Sequence, residues 1–276
     1  MQIIITGATG QLGGLILENL LQKMPAGQII AGVRDPDKTA ELRQLGLETR
    51  IVNYDVQDTL DKAFVDVTKL LLISSPHTDD TVWLAQHLRV IDAAQRAGVD
   101  HMLYTSFAFS QKGKSDNVHS LTEQAIQDSG LRYTFLRNAL YIDFVNVLGL
   151  KEAVSSGVLT TLPGNWRFNA VSRSDLALAT AAILAHSGPE NQSYELTASQ
   201  TWTFDNLAKA LSGLAGKPVI HREDPEIQHW IYNFLSTIDT VSTTTDLERW
   251  MGREVTPLKE SILPFIRPQE KRTLLD

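Results

Sequence analysis

Short apolar segments recur along the first half of the chain, and stretches with helical periodicity separate them. The apolar residues within each segment are continuous rather than alternating, which is typical of parallel strands covered by helices on both faces. We therefore predict an α/β fold built on a doubly wound parallel sheet of the Rossmann type. The predicted strands are residues 2–6, 28–34, 49–53, 69–74, 101–105 and 133–137.

The segments between these strands have the spacing of amphipathic helices. Leu84, Leu88 and Ile91 recur at the helical period, and Gly98 is a suitable end for their helix. Pro25 is expected to close the first helix. The predicted helices are residues 11–23, 36–45, 78–97 and 119–128, with a short turn at 59–64.

The regular alternation of strands and helices ends after about residue 138, where a smaller α/β lobe is predicted. We expect Ser174 to cap an alanine-rich helix at 175–185 and Thr203 to open another helix through residue 214. The tail at 225–267 is expected to be mostly helical, with breaks at Pro257 and Pro264. The other predicted elements are a helix at 141–150, an extended segment at 157–162 and a strand at 192–197.

These patterns suggest two parts with a soft boundary. Residues 1–140 are assigned to the Rossmann domain, and segments around 165–197 are expected to return to it. Residues 141–276 are assigned to the smaller lobe, where a substrate would bind.

Composition excludes several kinds of chemistry. The chain has no cysteine, which removes disulfides, iron–sulfur clusters, thiolate zinc sites and cysteine nucleophiles. The 32 Asp and Glu exceed the 25 Lys and Arg, giving a net charge of −7, which argues against binding to nucleic acid or to an anionic membrane. No apolar run approaches the roughly 18–20 residues that span a bilayer, and no signal peptide is evident, so we expect a cytoplasmic protein. Any redox chemistry must come from a bound cofactor.

Three glycines separate the first predicted strand from the first predicted helix. The segment reads Gly7-Ala8-Thr9-Gly10-Gln11-Leu12-Gly13. Glycines at this spacing allow a sharp turn, let the backbone approach a pyrophosphate and let helix and strand pack closely. The helix N-terminus then offers free N–H groups to the phosphates. A tight turn alone would explain the glycines, but their place inside a repeating βαβ pattern favours dinucleotide binding through Gly7, Thr9, Gly10, Gln11, Leu12 and Gly13.

The end of the second predicted strand bears on which dinucleotide binds. NAD sites usually place Asp or Glu there, on the ribose 2′-hydroxyl. This strand instead ends in Val33 and Arg34, with Lys38 one helical turn later, which suits the 2′-phosphate of NADP. Asp35 could serve NAD and Arg34 could be a solvated surface residue, so both alternatives stay open. NADPH is favoured.

Several segments together resemble a known family. With the glycine segment, the endings Val33-Arg34-Asp35-Pro36 and Ile73-Ser74-Ser75, and the run Leu136-Arg137-Asn138, the chain resembles the NmrA-like atypical short-chain dehydrogenases/reductases. Within that group it is similar to the bacterial NADPH:quinone oxidoreductases and their dye-reducing relatives. The resemblance implies a Rossmann fold and an NADP-dependent oxidoreductase.

The chain departs from the wider superfamily at the catalytic pair. Short-chain dehydrogenases carry Ser at the exit of the fifth strand and Tyr-x-x-x-Lys about 13 residues later. Here Ser106 ends the strand, but His119 and Glu123 replace the tyrosine and the lysine. Without the acidic tyrosine, ordinary alcohol dehydrogenation and sugar epimerisation lose their usual catalyst. A quinone or a cationic dye needs little protonation when it accepts hydride, so reductase chemistry survives the loss.

The resemblance and the strand ends nominate the remaining site residues. Ser74, Ser75 and Ser106 are expected to contact the cofactor, because Rossmann crevices open at the carboxyl ends of strands. Asn138 resembles the group's nicotinamide-side residue and, with His119, is a candidate catalytic residue. His119 could polarise an acceptor oxygen, hydrogen-bond the cofactor or be structural, and Glu123 could simply pair with it. Helix capping by the two serines and a local turn bond of Asn138 are alternatives.

Several further residues are weaker candidates for the functional site. Tyr141 and Phe144 could wall a substrate pocket, although aromatic residues on a helix more often pack in the core. Arg173 could bind substrate or form a surface ion pair. Asp55 and Asp58 could approach an adenine, but a solvated loop explains them. The seven histidines show no metal-ligand spacing, and a polar helix start accounts for His77 beside its aspartates, so no metal site is predicted.

The sequence therefore predicts an NADPH-dependent reductase that passes hydride to a quinone-like small molecule. The competing hypothesis is a non-catalytic NADP(H) sensor of the NmrA regulator type, which would act through a partner protein. Under either hypothesis the protein could form a homodimer.

Overall fold

The computed structural model describes residues 1–109, 116–186 and 191–267, apart from the side chain of Lys38. Strands and helices alternate through the first half, as predicted. The elements there are β1 (Ile3–Ile5), α1 (Gln11–Leu21), β2 (Ile29–Val33), α2 (Thr39–Gln44), β3 (Glu48–Ile51), α3 (Gln57–Ala63), β4 (Lys69–Leu72), α4 (Asp80–Ala97), β5 (His101–Phe107), α5 (Val118–Asp128) and β6 (Arg132–Asn138).

The second half has shorter elements. They are β7 (Leu140–Tyr141), α6 (Leu150–Ser156), β8 (Val158–Thr161), β9 (Arg167–Phe168), β10 (Ala170–Val171), α7 (Arg173–Ala185), β11 (Gln192–Leu196), β12 (Trp202–Thr203), α8 (Phe204–Ala215), β13 (Ile220–Glu223), α9 (Trp230–Ser236), α10 (Asp246–Met251), α11 (Leu258–Ser261) and α12 (Leu263–Ile266). Single 3₁₀ turns or short 3₁₀ helices lie at Ala26–Gln28, Pro36–Lys38 and Ile142–Leu148.

Seven parallel strands form the central sheet in the order β11-β6-β5-β4-β1-β2-β3. The order reverses between β1 and β4, where a doubly wound sheet opens a crevice. Three two-stranded sheets, β10-β7, β12-β9 and β13-β8, belong to the later part of the chain. The fold is the predicted doubly wound α/β fold with a smaller α/β lobe.

Both faces of the sheet are covered, which explains the continuous apolar strands. In β1, Ile3 and Ile5 belong to one core and Ile4 to the other, because successive side chains of a strand alternate between faces. Helices α1 and α7 pack together on the first face. Helices α3, α4 and α5 cover the second face with residues such as Leu60, Val90 and Ile126.

Two parts of the later chain return to the Rossmann half. Strand β11 pairs with β6 at the sheet edge, and α7 lies beside α1. The division between residues 140 and 141 stays a prediction.

Some of the helix caps and helix ends were predicted correctly, and others were not. Gly98 ends α4 in the left-handed conformation with φ of 70°, and Thr203 caps α8, both as expected. The prediction for Ser174 was wrong: the hydroxyl of Ser172 accepts from the Asp175 N–H at 3.1 Å, so the helix begins earlier. The first helix ends at Leu21, before Pro25.

Other corrections concern how far helices extend. The short helical candidate at 59–64 is part of α3, which begins two residues earlier. The predicted helix at 141–150 divides into β7, a 3₁₀ helix and the start of α6. The tail is only partly helical, since α9, α10 and α11 are short and separated by non-helical segments, and only Ile262 lies between α11 and α12. Pro264 lies in the first turn of α12 instead of breaking a helix, a position where its missing N–H costs no bond.

One buried carboxylate ties the C-terminal segment to α7. Asp175 is fully buried and accepts from Arg253 Nη2 at 2.7 Å, from the Thr256 N–H at 2.9 Å and from Thr256 Oγ1 at 2.8 Å. A buried charge is tolerated only when it is paired and hydrogen-bonded in this way.

Replacing Asp175 should therefore destabilise the protein. We expect Asp175→Ala to lower the free energy of unfolding by about 3 kcal/mol, because it removes all three bonds and leaves their donors unpaired. Asp58→Ala is the control, since Asp58 forms an exposed ion pair with Lys62 and should cost less than about 1 kcal/mol. Urea unfolding measures both, and equal losses would contradict the assignment.

Candidate functional site

A cavity of about 780 Å³ opens at the carboxyl ends of the central strands. The turn after β1 and the ends of β2, β4, β5 and β6 line one side, and residues of the smaller lobe line the other. In doubly wound sheets this edge, at the point where the strand order reverses, is where ligands bind.

The glycine turn forms the floor of one end of the cavity. Gly7 has a φ of 61°, a left-handed conformation that favours glycine, and its carbonyl accepts from the Gly10 N–H at 2.9 Å. A Cβ on Gly13 would lie 2.2 Å from the Gly7 carbonyl oxygen, so only glycine lets α1 approach the turn. Gly10 caps α1 without a side-chain bond, which leaves N–H groups of the first turn for a ligand. Thr9, Gln11 and Leu12 also line the cavity.

The end of β2 presents a positive charge to the same end of the cavity. Val33 is buried, and exposed Arg34 lines the cavity. The carboxylate of Asp35 instead caps its own turn, accepting from the Asp37 N–H at 3.0 Å. The side chain of Lys38, the other predicted cation here, lies outside what the structure describes.

Ser74 and Ser75 line the cavity after β4, but their hydroxyl protons are used within the protein. Ser74 donates to the Thr105 carbonyl, and Ser75 donates to Oε1 of Gln86. The helix-capping alternative does not hold, because Asp79 caps α4 by accepting from two backbone N–H groups. The two serines fix the loop that borders the cavity.

Two buried polar side chains at the ends of β5 and β6 lack partners. The Ser106 hydroxyl and both amide atoms of Asn138 make no hydrogen bond with any described residue, although the Tyr141 hydroxyl lies near Asn138. Ser106 and Asn138 both line the cavity, and β5 and β6 are paired neighbours. A buried polar group without a partner costs about 1–3 kcal/mol, so these atoms indicate a polar ligand.

His119 is held in the cavity wall by three rings. Its Nδ1 lies 2.9 Å from the Tyr104 hydroxyl, its ring stacks on Phe107 at 5.9 Å, and the edge-to-face contact with Trp83 is at 5.1 Å between centroids. Burial lowers the pKa of His119 to about 4, so the imidazole is neutral at pH 7.

A second histidine beneath it is structural. His87 is fully buried, and its Nε2 accepts from the Ser75 N–H and from Trp83 Nε1, both at 3.0 Å. Nε2 is therefore unprotonated, and Nδ1 donates to Thr122 Oγ1 at 3.0 Å. Burial lowers the pKa of His87 to about 3.

Glu123 does not pair with His119 as the sequence had allowed. It accepts two bonds from Arg137, from Nε at 3.0 Å and from Nη2 at 2.7 Å, and the third Arg137 nitrogen bonds Glu195 at 2.9 Å. These bonds raise the pKa of the Arg137 guanidinium. The position of the superfamily's catalytic lysine is thus occupied by a carboxylate engaged in a structural ion pair.

Tyr141 and Phe144 line the cavity on the side of the smaller lobe. The Arg173 guanidinium lies 4.3 Å above the Tyr141 ring and forms an ion pair with Asp143. Phe144 stacks on Trp202 with centroids 5.8 Å apart, so it serves the lobe's core as well as the cavity. Arg173 thus holds Tyr141 and Asp143 together at the cavity wall.

Several lining residues escaped the sequence analysis. Trp230, Ile231 and Phe234 come from α9, and Trp230 is 63% exposed although it is large and apolar. Trp230 and Phe234, aromatic residues four positions apart in the tail, were the sequence signal that could have indicated this part of the wall. Asp55 lines the cavity and accepts from Gln86, whereas Asp58 pairs with Lys62 away from it.

No metal site emerges from residues 1–109, 116–186 and 191–267, which hold no cluster of three or more candidate ligands. His77 uses Nδ1 to accept from the Asp79 N–H. Within the same residues, no helix has the length and hydropathy needed to cross a membrane.

The cavity fits a dinucleotide. A turn that only glycine can form, free N–H groups and Arg34 suit phosphates at one end, and the unpartnered atoms of Ser106 and Asn138 suit a polar ring substituent at the other.

Comparisons with known proteins agree with this geometry. Residues 7–187 match the model of a family described as NAD(P)H-binding. Quinone oxidoreductase 2 of Escherichia coli (strain K12) is 38% identical over 224 residues, which cover 80% of this chain and 77% of that protein. An NmrA-like family domain-containing oxidoreductase of Aspergillus flavus is 33% identical over 227 residues, which cover 79% of this chain and 73% of that protein.

A solved structure is similar over nearly the whole chain. Triphenylmethane reductase of Citrobacter sp., complexed with NADP(H), has a TM-score of 0.87 and 41% identity, covering 95% of this chain and 99% of that chain.

His87 and His119 should make stability depend on pH. Their folded-state pKa values lie below the ordinary 6.5, so between pH 7 and pH 5 the unfolded chain binds protons that the folded protein does not. Stability should therefore fall as pH falls through 6.5, by on the order of 2 kcal/mol for each histidine at pH 5. Urea unfolding at the two pH values measures this, and His87→Gln should flatten the dependence. An unchanged slope in that variant would contradict the assignment.

Proposed function

We propose a specific reaction for this chain, which belongs to the NAD(P)H-binding family and is an NAD(P)H-dependent oxidoreductase. In that reaction it reduces a quinone-like, electron-poor small molecule with NADPH. The resemblance to NmrA-like reductases predicted from the sequence is confirmed by the identity to two named oxidoreductases. The cytoplasmic location and the homodimer stay predictions.

The cofactor end follows from the residues around the glycine turn. The N–H groups at the start of α1 would hold the pyrophosphate, and Arg34 would hold the 2′-phosphate. Ser106 and Asn138 would hydrogen-bond the nicotinamide end, which would give their buried atoms the partners they lack. When bound, NADPH supplies the hydride.

One observation carries the choice of acceptor. His119 is neutral and Glu123 is locked to Arg137 where related dehydrogenases carry the tyrosine and lysine that protonate an alcohol oxygen. This site therefore lacks a strong acid for ketone reduction. A quinone needs none, because its reduced form is a stable aromatic oxyanion, and proximity supplies much of the rate.

The aromatic lining supports the same acceptor class. Trp83 and Phe107 on the sheet side, with Tyr141 and Phe144 across the cavity, offer faces and edges to a flat ring. The names of two relatives, quinone oxidoreductase 2 and triphenylmethane reductase, also indicate planar or electron-poor aromatic acceptors. The sensor alternative is not favoured, since the relatives above 30% identity are named oxidoreductases.

The direct test is NADPH oxidation with a panel of quinones. We expect turnover above the uncatalysed background for some members of the panel. Tight NADPH binding without turnover on any acceptor would contradict the proposal.

Arg34→Ala should separate the two cofactors. We expect NADPH affinity to fall roughly tenfold to a hundredfold, because a charge-assisted contact with a phosphate is lost, and NADH affinity to stay unchanged. Fluorescence titration of both cofactors measures this, with exposed Arg222→Ala as the matched control. An equal loss for both cofactors would show that Arg34 does not hold the 2′-phosphate.

Gly13→Ala should abolish cofactor binding. The new methyl group would overlap the Gly7 carbonyl and force α1 away from the turn. Gly27→Ala is the control, because a Cβ there meets no atom within 4 Å. Calorimetric titration with NADPH compares the two variants, and tight binding to the Gly13 variant would contradict the assigned phosphate site.

A further inference from the structure

His119 has one ring nitrogen engaged and one facing no described partner. Nδ1 bonds the Tyr104 hydroxyl at 2.9 Å, and no described residue makes a hydrogen bond with Nε2. Phe107 and Trp83 hold the plane of the ring, and His119 lines the cavity. The orientation of the imidazole is therefore set by groups that surround it rather than by a ligand.

The protons of the neighbouring hydroxyls determine which way the Tyr104 bond runs. The Ser74 hydroxyl donates to the Thr105 carbonyl, and the Thr122 hydroxyl donates to the Val118 carbonyl at 2.7 Å. Thr122 meanwhile accepts from His87 Nδ1, whose other nitrogen is occupied as an acceptor. Neither hydroxyl therefore has a proton to offer Tyr104, so the Tyr104 proton is available to Nδ1 of His119.

Burial keeps that proton on Tyr104. The side chain is fully buried, and burial raises the pKa of its hydroxyl well above the ordinary value. A hydroxyl that retains its proton can donate to the unprotonated nitrogen of a neutral imidazole beside it.

We propose that Tyr104 is a positioning residue that donates to Nδ1 of His119 and thereby fixes the neutral tautomer whose Nε2–H donates to the acceptor's carbonyl oxygen. The proposal rests on the proposed function, because the oxygen belongs to the quinone-like acceptor. His119 is then a hydrogen-bond donor rather than a proton source, as a neutral imidazole can be when it polarises a carbonyl.

The chemistry balances without a proton from the protein. Bound NADPH would supply a hydride from its nicotinamide C–H bond and would leave as NADP⁺. The hydrogen would end as O–H on one quinone oxygen, and the other oxygen would become a phenolate. The Nε2–H bond stabilises the negative charge that develops there, and the phenolate takes its proton from water. A cationic triarylmethyl dye becomes neutral on gaining hydride and forms no oxyanion, so it would not use this donor.

Nitrogen-15 NMR of histidine-labelled protein at pH 7 tests the tautomer without turnover. We expect His119, assigned by the signal missing in His119→Phe, to be neutral with its proton on Nε2. Tyr104→Phe should move the population towards the Nδ1–H form, whereas Tyr133→Phe should not, because the Tyr133 hydroxyl only bonds exposed Gln127. A protonated ring, or an Nδ1–H tautomer in the unmodified protein, would overturn the proposal.

Kinetics with two acceptor classes test the role of the donor. His119→Phe should lower kcat for a quinone by about a hundredfold, the usual loss of an oxyanion donor, and Tyr104→Phe should show a smaller loss of the same kind. Both variants should lower the rate with the cationic dye by much less than the rate with the quinone, because the dye forms no oxyanion. Equal losses on both acceptors would mean a purely structural role and would overturn the proposal.

The two proposals fail in different ways. If the unmodified protein reduces no acceptor, the proposed function falls, and the NMR measurement still decides the Tyr104–His119 arrangement. If turnover is normal but the tautomer is wrong, only this inference falls.

Discussion

The contact between Gly13 and the carbonyl of Gly7 is the constraint on which the rest of this molecule depends. With no side chain at residue 13, the first helix lies directly against the turn that leaves the first strand. That contact sets the direction of α1, and α7 packs against α1. The carboxyl end of the sheet is thereby left open, with free backbone N–H groups at its centre. A side chain at residue 13 would push α1 away from the turn and so move its N-terminus away from any phosphate bound there.

Polar groups are distributed unevenly around the cavity. Beneath its wall, the His87 network satisfies every nitrogen of a fully buried ring. At the carboxyl ends of β5 and β6, by contrast, the side chains of Ser106 and Asn138 are buried without hydrogen-bond partners. Unsatisfied groups that also line a cavity are the ones that a bound ligand can satisfy, so Ser106 and Asn138 mark the site.

The sequence predicted the sheet and the conformation of the glycine turn because those features are local. Continuous strands, the glycine spacing and Arg34 each occupy a few adjacent residues with one physical explanation. The wall formed by α9 could not be predicted, since short helices in an irregular tail are placed by tertiary packing. The partner of Glu123 also escaped prediction, because Arg137 lies on another element and residues four apart on a helix suggested His119 instead. Ser172 displaced Ser174 as the cap because the helix begins earlier than its alanine-rich core.

The position of α9 has an evolutionary consequence. Its aromatic residues border the cavity from a segment that lies far along the chain from the glycine turn, and Trp230 is largely exposed. Substitutions there alter neither the central sheet nor the phosphate-binding end. Under the proposed function, changes in α9 alone can therefore alter which acceptors fit while the glycine turn keeps the same reductant, because α9 and that turn lie more than 200 residues apart in the sequence.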